Sequence, residues 1–264
     1  MPITRNLEKA REAWQRKDEE MSIKAHQVKE PHETKKGQYI KSIVYGGLDG
    51  IITTFAIVAG ITGAKMNPST VLILGIANLL ADAISMGVGD YLSTKSEIEY
   101  QKKERSREKW EVENYPEGEK LEIVQLFHDK GMSKEDARKI AAILENNKKA
   151  WIDTMMIQEL GFPDDKESAL KNGGITFLSF IIFGIIPLFS YILALLVPTI
   201  GRESTTLFVL AIFLTAVTLF ILGALKTRIT KRNIFLSGLE SLVVGGLAAG
   251  AAYILGDLLS GITL

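Results

Sequence analysis

Between Lys171 and Arg202 the chain reads NGGITFLSFIIFGIIPLFSYILALLVPTIG (172–201), without one charged residue. A second such run, STTLFVLAIFLTAVTLFILGAL (204–225), follows almost at once. Each exceeds the ~20 apolar residues that a helix needs to cross a ~30 Å hydrocarbon core. Working outward, Asn233–Gly256 carries Glu240 as its sole charge, Ser42–Ala64 carries only Asp49, and Pro68–Thr94 carries Asp82 and Asp90. The apolar residues of the last two segments go all the way round a helix, leaving no polar stripe for water. The chain therefore reads as an all-α membrane protein with five transmembrane helices.

Averages over the 264 residues conceal this division. The 31 Lys and Arg balance the 31 Asp and Glu, net charge is zero and there is no Cys. Neutrality excludes a nucleic-acid binder acting through overall positive charge. The lack of Cys excludes a disulfide scaffold, a thiolate zinc site and a Cys nucleophile. The first 41 residues are charged and lack the apolar core of a signal peptide. Lys35, Lys36 and Lys41 precede span one, and Lys226, Arg228, Lys231 and Arg232 lie between spans four and five; Lys65 alone joins spans one and two, and Arg202 is the one basic residue between three and four. By the positive-inside rule, five spans place the N-terminus, the middle segment and the last loop in the cytoplasm.

Residues 95–171 are too long for a plain loop and carry helical patterning. Span two is expected to continue as a charged helix to about Glu113, stopped by Tyr115-Pro116. A helix should follow to about Lys130, ending at Gly131. Ser133 and Asp136 have capping-box spacing for the next helix, and a last helix should hold Trp151 to Leu160. The boundaries read as 1–38 (an N-terminal arm, with an amphipathic or partly disordered helix in 4–30), 39–94 (spans one and two), 95–171 (a helical domain) and 172–264 (spans three to five).

Three sets of residues could carry chemistry. Within the membrane, Asp49 lies in span one, while Asn78, Asp82, Met86 and Asp90 recur every fourth residue in span two and so form one drifting stripe. A carboxylate at the centre of a bilayer costs at least ~2.5–3.5 kcal/mol on insertion scales, which makes it a functional candidate by default. A group able to hold a proton or a cation suits a proton-coupled carrier. Asp90, nearer the interface, reads instead as a cap or a snorkelling group. The second set lies in EIEYQKKERSREKWEVENYPEGEKLE (97–122). Glu104, Glu108 and Glu111 share a helix face and Glu119 and Glu122 share the next; Lys102, Lys103, Arg105, Arg107 and Lys109 lie mostly on other faces. Alone, this is either a solvated charged helix or a metal site. The third set is Met155, Met156 and Glu159, either core filler or thioethers sharing a face with a carboxylate. Carboxylates with thioethers, and neither Cys nor His, suit Fe(II) or Mn(II) better than zinc or copper. His26, His32 and His128 have no metal-ligand spacing, and no Glu-x-x-His pair of a di-iron oxidase occurs.

YGGLDGIITTFAIVAGITGA (45–64), ADAISMGVGDYLSTKSE (81–97) and WIDTMMIQELG (151–161), in that order, resemble the vacuolar iron transporter family. The resemblance implies export of Fe(II), and often Mn(II), from the cytosol in exchange for protons. It implies a homodimer of five-span subunits with a cytoplasmic helical metal-binding domain between spans two and three. The family's ion-path aspartate and methionine fall on Asp49 and Met86. Its cytoplasmic metal ligands fall on Glu108, Glu111, Glu119, Glu122, Met155, Met156 and Glu159. A family glutamate eight residues before the methionine is replaced by Asn78, with Asp82 one turn later as a possible substitute. Gly46 with Gly50, and Gly246 with Gly250, are small-xxx-small pairs that fit a dimer, though such pairs also occur inside monomers and the dimer rests on the resemblance. The expectation is thus a transporter and not an enzyme, with divalent metal and membrane lipid as partners and no nucleic acid. Its membrane would be vacuolar in a eukaryote and the cell membrane in a prokaryote. The competing reading is a membrane-tethered metal sensor or buffer without transport.

Overall fold

A computed structural model describes residues 7–21, 23, 34–162, 168–197, 204–230 and 233–261. Every regular element among them is helical: α1 (Leu7–Arg16), α2 (Thr34–Gly63), α3 (Pro68–Asn114), α4 (Pro116–Asp129), α5 (Lys134–Glu145), α6 (Lys148–Gln158), α7 (Ala169–Gly184), α8 (Phe189–Leu196), α9 (Ser204–Thr230) and α10 (Ile234–Leu259). The chain divides into two compact units, 1–40 and 41–264. The first contains α1; of the 4–30 segment expected to be an amphipathic or partly disordered helix, residues 4–6, 22 and 24–30 lie outside the described residues.

Five helical stretches are long and apolar enough to cross a membrane: Tyr39–Gly63, the start of Pro68–Asn114, Ala169–Leu196, Ser204–Thr227 and Ile234–Leu259. The protein is a multi-pass membrane protein. Its third span is not one helix, as the hydropathy suggested. Pro187 interrupts it with a 3-10 turn, Ile186–Leu188, between α7 and α8, because a proline ring clashes with the preceding turn and has no N–H to donate. Many large apolar side chains on the spans remain exposed, Ile73, Ile84, Leu247 and Leu258 among them. Water would penalise such surface, whereas lipid or a second subunit accommodates it.

The α2–α3 link is a Schellman turn. Met66 N donates to Ile61 O at 3.2 Å and Lys65 N to Thr62 O at 3.0 Å, with Lys65 at φ 57°. Pro68 then opens α3, where the missing N–H would have had no partner. Helix α3 runs 47 residues, ~70 Å at 1.5 Å per residue, so it continues well beyond a ~30 Å hydrocarbon core. It stops at Tyr115 (φ −131°, ψ 49°) because Pro116 disfavours helical geometry in the residue before it.

Close backbone packing joins the spans. A Cβ on Gly46 would lie 2.7 Å from Thr176 O, and one on Gly50 2.5 Å from Phe180 O, both on α7. Of the two readings open for that glycine pair, Gly46 and Gly50 take contact within the chain. Gly246 and Gly250 meet nothing within 4 Å. Gly87 of α3 and Gly173 of α7 also abut, so α7 packs against both α2 and α3.

Helices α4, α5 and α6 and the projecting end of α3 form a small bundle. Its core is Val112, Ile123, Ala141, Trp151, Ile152, Met155 and Met156, and full burial of each large member contributes ~1.5–3 kcal/mol. Gly131 (φ 97°) and Gly161 (φ 70°) terminate two of these helices in a conformation that only glycine adopts without strain. Ser133 caps α5 as expected, accepting from Asp136 N at 3.1 Å.

Candidate metal centre

In the spans, Asn78, Asp82, Met86 and Asp90 are all half-buried along one edge of α3. The inner positions beside them, Leu79, Ala83 and Gly87, are buried. The stripe divides into three parts. Asn78 Nδ2 donates to Asp82 Oδ2 at 2.6 Å, so the amide is a partner that holds the carboxylate. Asp49 on α2 lies near enough to Asp82 for their charges to repel. Met86 packs against the main apolar core. Asp90 Oδ2 accepts from the fully buried Thr176 Oγ1 of α7 at 2.5 Å. The latter is an interhelical tie, in keeping with a structural reading of Asp90.

The acidic run closes on itself across two helices. Carboxylate oxygens of Glu108 and Glu111 on α3 and of Glu119 on α4 lie within 4.8 Å of one another. The Tyr115-Pro116 corner makes this possible by starting α4 directly after α3. Glu122, on α4, and Glu159, just past α6, are close enough to act electrostatically on the trio. Met155 and Met156 are buried in the bundle core, as filler would be, one turn before Glu159.

Glu108 and Glu119 are only 5% and 4% exposed. An Oε2 of each is buried with no hydrogen-bond partner among the described residues. Burial, then the charges of Glu159, Glu111 and Glu122, pushes the Glu108 carboxyl up to about 7. Burial, then Glu122, Glu108, Glu111 and Glu159, does the same to Glu119, also to about 7. Glu159 is raised by partial loss of solvent and by Glu122 and Glu111, against the pull of Arg107. An unpaired buried carboxylate oxygen is expensive, and the oxygens of Glu108, Glu111 and Glu119 converge closely enough that they could hold a metal ion. Hard oxygen donors suit Fe(II), Mn(II) or Mg(II).

Glu104, grouped with Glu108 and Glu111 by its spacing, is 9% exposed and belongs to this buried surface. One feature escaped the sequence reading. Arg107 does not lie on another face: its Nε donates to Glu111 Oε1 at 3.1 Å, and a guanidinium nitrogen stands 4.0 Å from Glu104 Oε2. The i, i+4 spacing of Arg107 and Glu111 was the signal available. Arg105, by contrast, pairs with Asp153 of α6, and Lys120 pairs with Glu117 and Glu145 at 2.8 and 2.6 Å.

Five candidate spans, carboxylates inside them and a second carboxylate cluster outside define a membrane protein that handles cations. Residues 40–257 match the VIT family. A vacuolar iron transporter of Toxoplasma gondii is 40% identical over 97% of this chain and 89% of its own length. One of Plasmodium falciparum is 38% identical over 97% of both chains, and vacuolar iron transporter 1 of Arabidopsis thaliana is 34% identical over 85% of this chain and 89% of its own. The chain belongs to the VIT family.

Proposed function

We propose that this protein is a homodimeric transporter that moves Fe(II), and Mn(II), out of the cytosol in exchange for protons. The observation that carries the reading is the pair of buried carboxylate oxygens without partners on Glu108 and Glu119, with Glu111 within 4.8 Å. It is supported by the continuity of α3, which bears both this cluster and the intramembrane Asp82 and Met86, and by the names of the relatives. The bundle of α4–α6 faces the cytoplasm and collects the metal. Glu108, Glu111, Glu119, Glu122 and Glu159 supply oxygens, and Met155 and Met156 supply thioethers on a change of rotamer. The ion then passes by Asp49, Asp82 and Met86, with Asn78 holding Asp82.

Oxygen ligands release metal when protonated, because proton and cation compete for the same lone pairs. Protons entering from the far side reprotonate the intramembrane carboxylates and eject the ion there. The receiving compartment is a vacuole in a eukaryotic cell and the exterior in a prokaryotic one. The alternative of a sensor or buffer has no use for costly carboxylates in the spans, and no nucleophile–base pair favours an enzyme.

The test is flux of Fe(II) and Mn(II) into proteoliposomes with and without an imposed proton gradient, wild type beside Asp49→Ala. Gradient-dependent flux lost in the variant is expected. Metal binding without flux in either protein would favour the sensor, and flux indifferent to the gradient would remove the coupling.

A further inference from the structure

We infer that Arg107 is the built-in counter-ion of the carboxylate cluster, a tethered competitor that an incoming divalent cation displaces, and that it sets the metal affinity of the site. This rests on the reading of Glu108, Glu111, Glu119, Glu122 and Glu159 as metal-binding groups. Arg107 is the residue before Glu108 on α3, and its guanidinium bridges Glu111, at 3.1 Å, and Glu104, at 4.0 Å. Among the described residues it is the one cation that forms an ion pair with any of the five glutamates. The neighbouring cations are engaged elsewhere, Lys120 with Glu117 and Glu145, and Arg105 with Asp153. The field of Arg107 also reaches Glu108 and Glu159.

Neutralisation by this arm is incomplete, because an Oε2 of Glu108 and of Glu119 remains without a donor among the described residues. A dication seated among Glu108, Glu111 and Glu119 needs the Glu111 carboxylate that Arg107 holds. Guanidinium stays charged at any accessible pH, so it cannot yield by losing a proton; it must swing away or repel the ion. Its side chain is 67% exposed, against 26% for Glu111 and 12% for Glu104, so the arm is free to leave while the carboxylates stay. The same charge therefore has opposite effects in the two states. It relieves repulsion in the metal-free cluster and opposes binding of metal.

The experiment titrates full-length protein in detergent with Mn(II), followed by calorimetry and by the paramagnetic resonance of free Mn(II), for wild type, Arg107→Gln, Arg107→Lys and Glu108→Gln. Removing an exposed ion pair and a nearby like charge should tighten binding in Arg107→Gln about threefold to tenfold. Arg107→Lys should stay within about twofold of wild type, since the charge remains. Metal-free Arg107→Gln should melt below wild type, yet gain more from saturating Mn(II). If Arg107→Gln binds as wild type does or more weakly, while Glu108→Gln has lost binding, the competitor is refuted and the site stands. If Glu108→Gln binds Mn(II) as wild type does, the site reading fails and the inference with it.

Discussion

Replacing Glu119 with Gln should stabilise the metal-free protein, and only at neutral to alkaline pH. The Glu119 carboxyl lies at about 7 in the folded chain against 4.5 when unconstrained. For a group raised in this way, the folded state keeps a proton that the unfolded state has lost, so stability falls as pH rises from 4.5 to 7 and the penalty is complete above it. At ~1.36 kcal/mol per unit the ceiling is ~3 kcal/mol. Glu108 is one of the charges that raise Glu119, so part of the penalty is shared, and ~1–3 kcal/mol is expected for one substitution. Glutamine removes the charge but keeps a polar amide in place of the carboxylic acid. The informative quantity is therefore the difference between pH 8 and pH 5. Thermal unfolding of chelator-treated protein can be followed by tryptophan fluorescence, since Trp151 is 2% exposed within the same core. The advantage of Glu119→Gln over wild type should be several degrees larger at pH 8 than at pH 5. Saturating Mn(II) at pH 8 should then stabilise wild type by ~2.7 kcal/mol at a hundredfold excess over Kd and leave the variant unmoved. Parallel pH profiles for the two proteins would refute the claim that buried, mutually repelling carboxylates occupy this place.

In the spans, Asp82→Ala should abolish flux in proteoliposomes, whereas Asn78→Ala, which removes one hydrogen bond to a charged group, should lower it about tenfold; the opposite order of severity would show that the amide is itself the ligand. Asp90→Asn keeps an acceptor for Thr176 Oγ1 and should retain flux within about threefold of wild type, an interhelical hydrogen bond in membranes averaging ~0.6 kcal/mol; loss of all flux would place Asp90 in the path. Gly50→Val would drive a side chain into the Phe180 carbonyl and should cut folded yield and lower Tm, at a cost in stability of ~1–3 kcal/mol or more. Gly250→Ala, with nothing within 4 Å, should leave the Tm of the detergent-solubilised subunit near that of wild type.

The spans were legible because lipid imposes one strong requirement, some twenty apolar residues in a row, and the runs at 172–201 and 204–225 meet it without interruption. Helix ends were legible wherever backbone chemistry dictates them, at Tyr115-Pro116, Gly131 and Ser133. What a small-residue pair packs against is not encoded in its spacing, which is why Gly46 and Gly50 fitted a partner subunit and a contact within the chain equally until they were seen against α7. The break at Pro187 was visible as a residue but hidden by the hydropathy around it. For the acidic cluster, spacing put Glu108 beside Glu111 and Glu119 beside Glu122. Only the turn at Tyr115-Pro116 brings the two pairs together, and that direction is a tertiary property. Arg107 was grouped with the other cations although it stands three residues from Glu104 and four from Glu111, the spacings at which helical ion pairs form.

Helix α3 connects the two carboxylate sets through geometry that the sequence contains and a straight helix makes useful. Glu108 follows Asp90 by 18 residues, and Glu104 follows Met86 by the same interval. Eighteen residues are five whole turns, so each pair shares one azimuth ~27 Å apart along the axis. The face of α3 that gathers carboxylates at one end is thus the face that carries Met86 and Asp90 at the other. Between them that face is occupied by α7, through Thr176 on Asp90 and Asn172 on Thr94 at 3.4 Å, so it is packed in this conformation. Asp82 stands ~80° round the axis from Asp90 and Asn78 ~120°, and Asp49 approaches Asp82 from α2. Asp82 therefore sits to one side of the α3–α7 seam that Asp90 occupies. Contact with α7 fixes the rod, and the edge facing α2 is left to hold the charge.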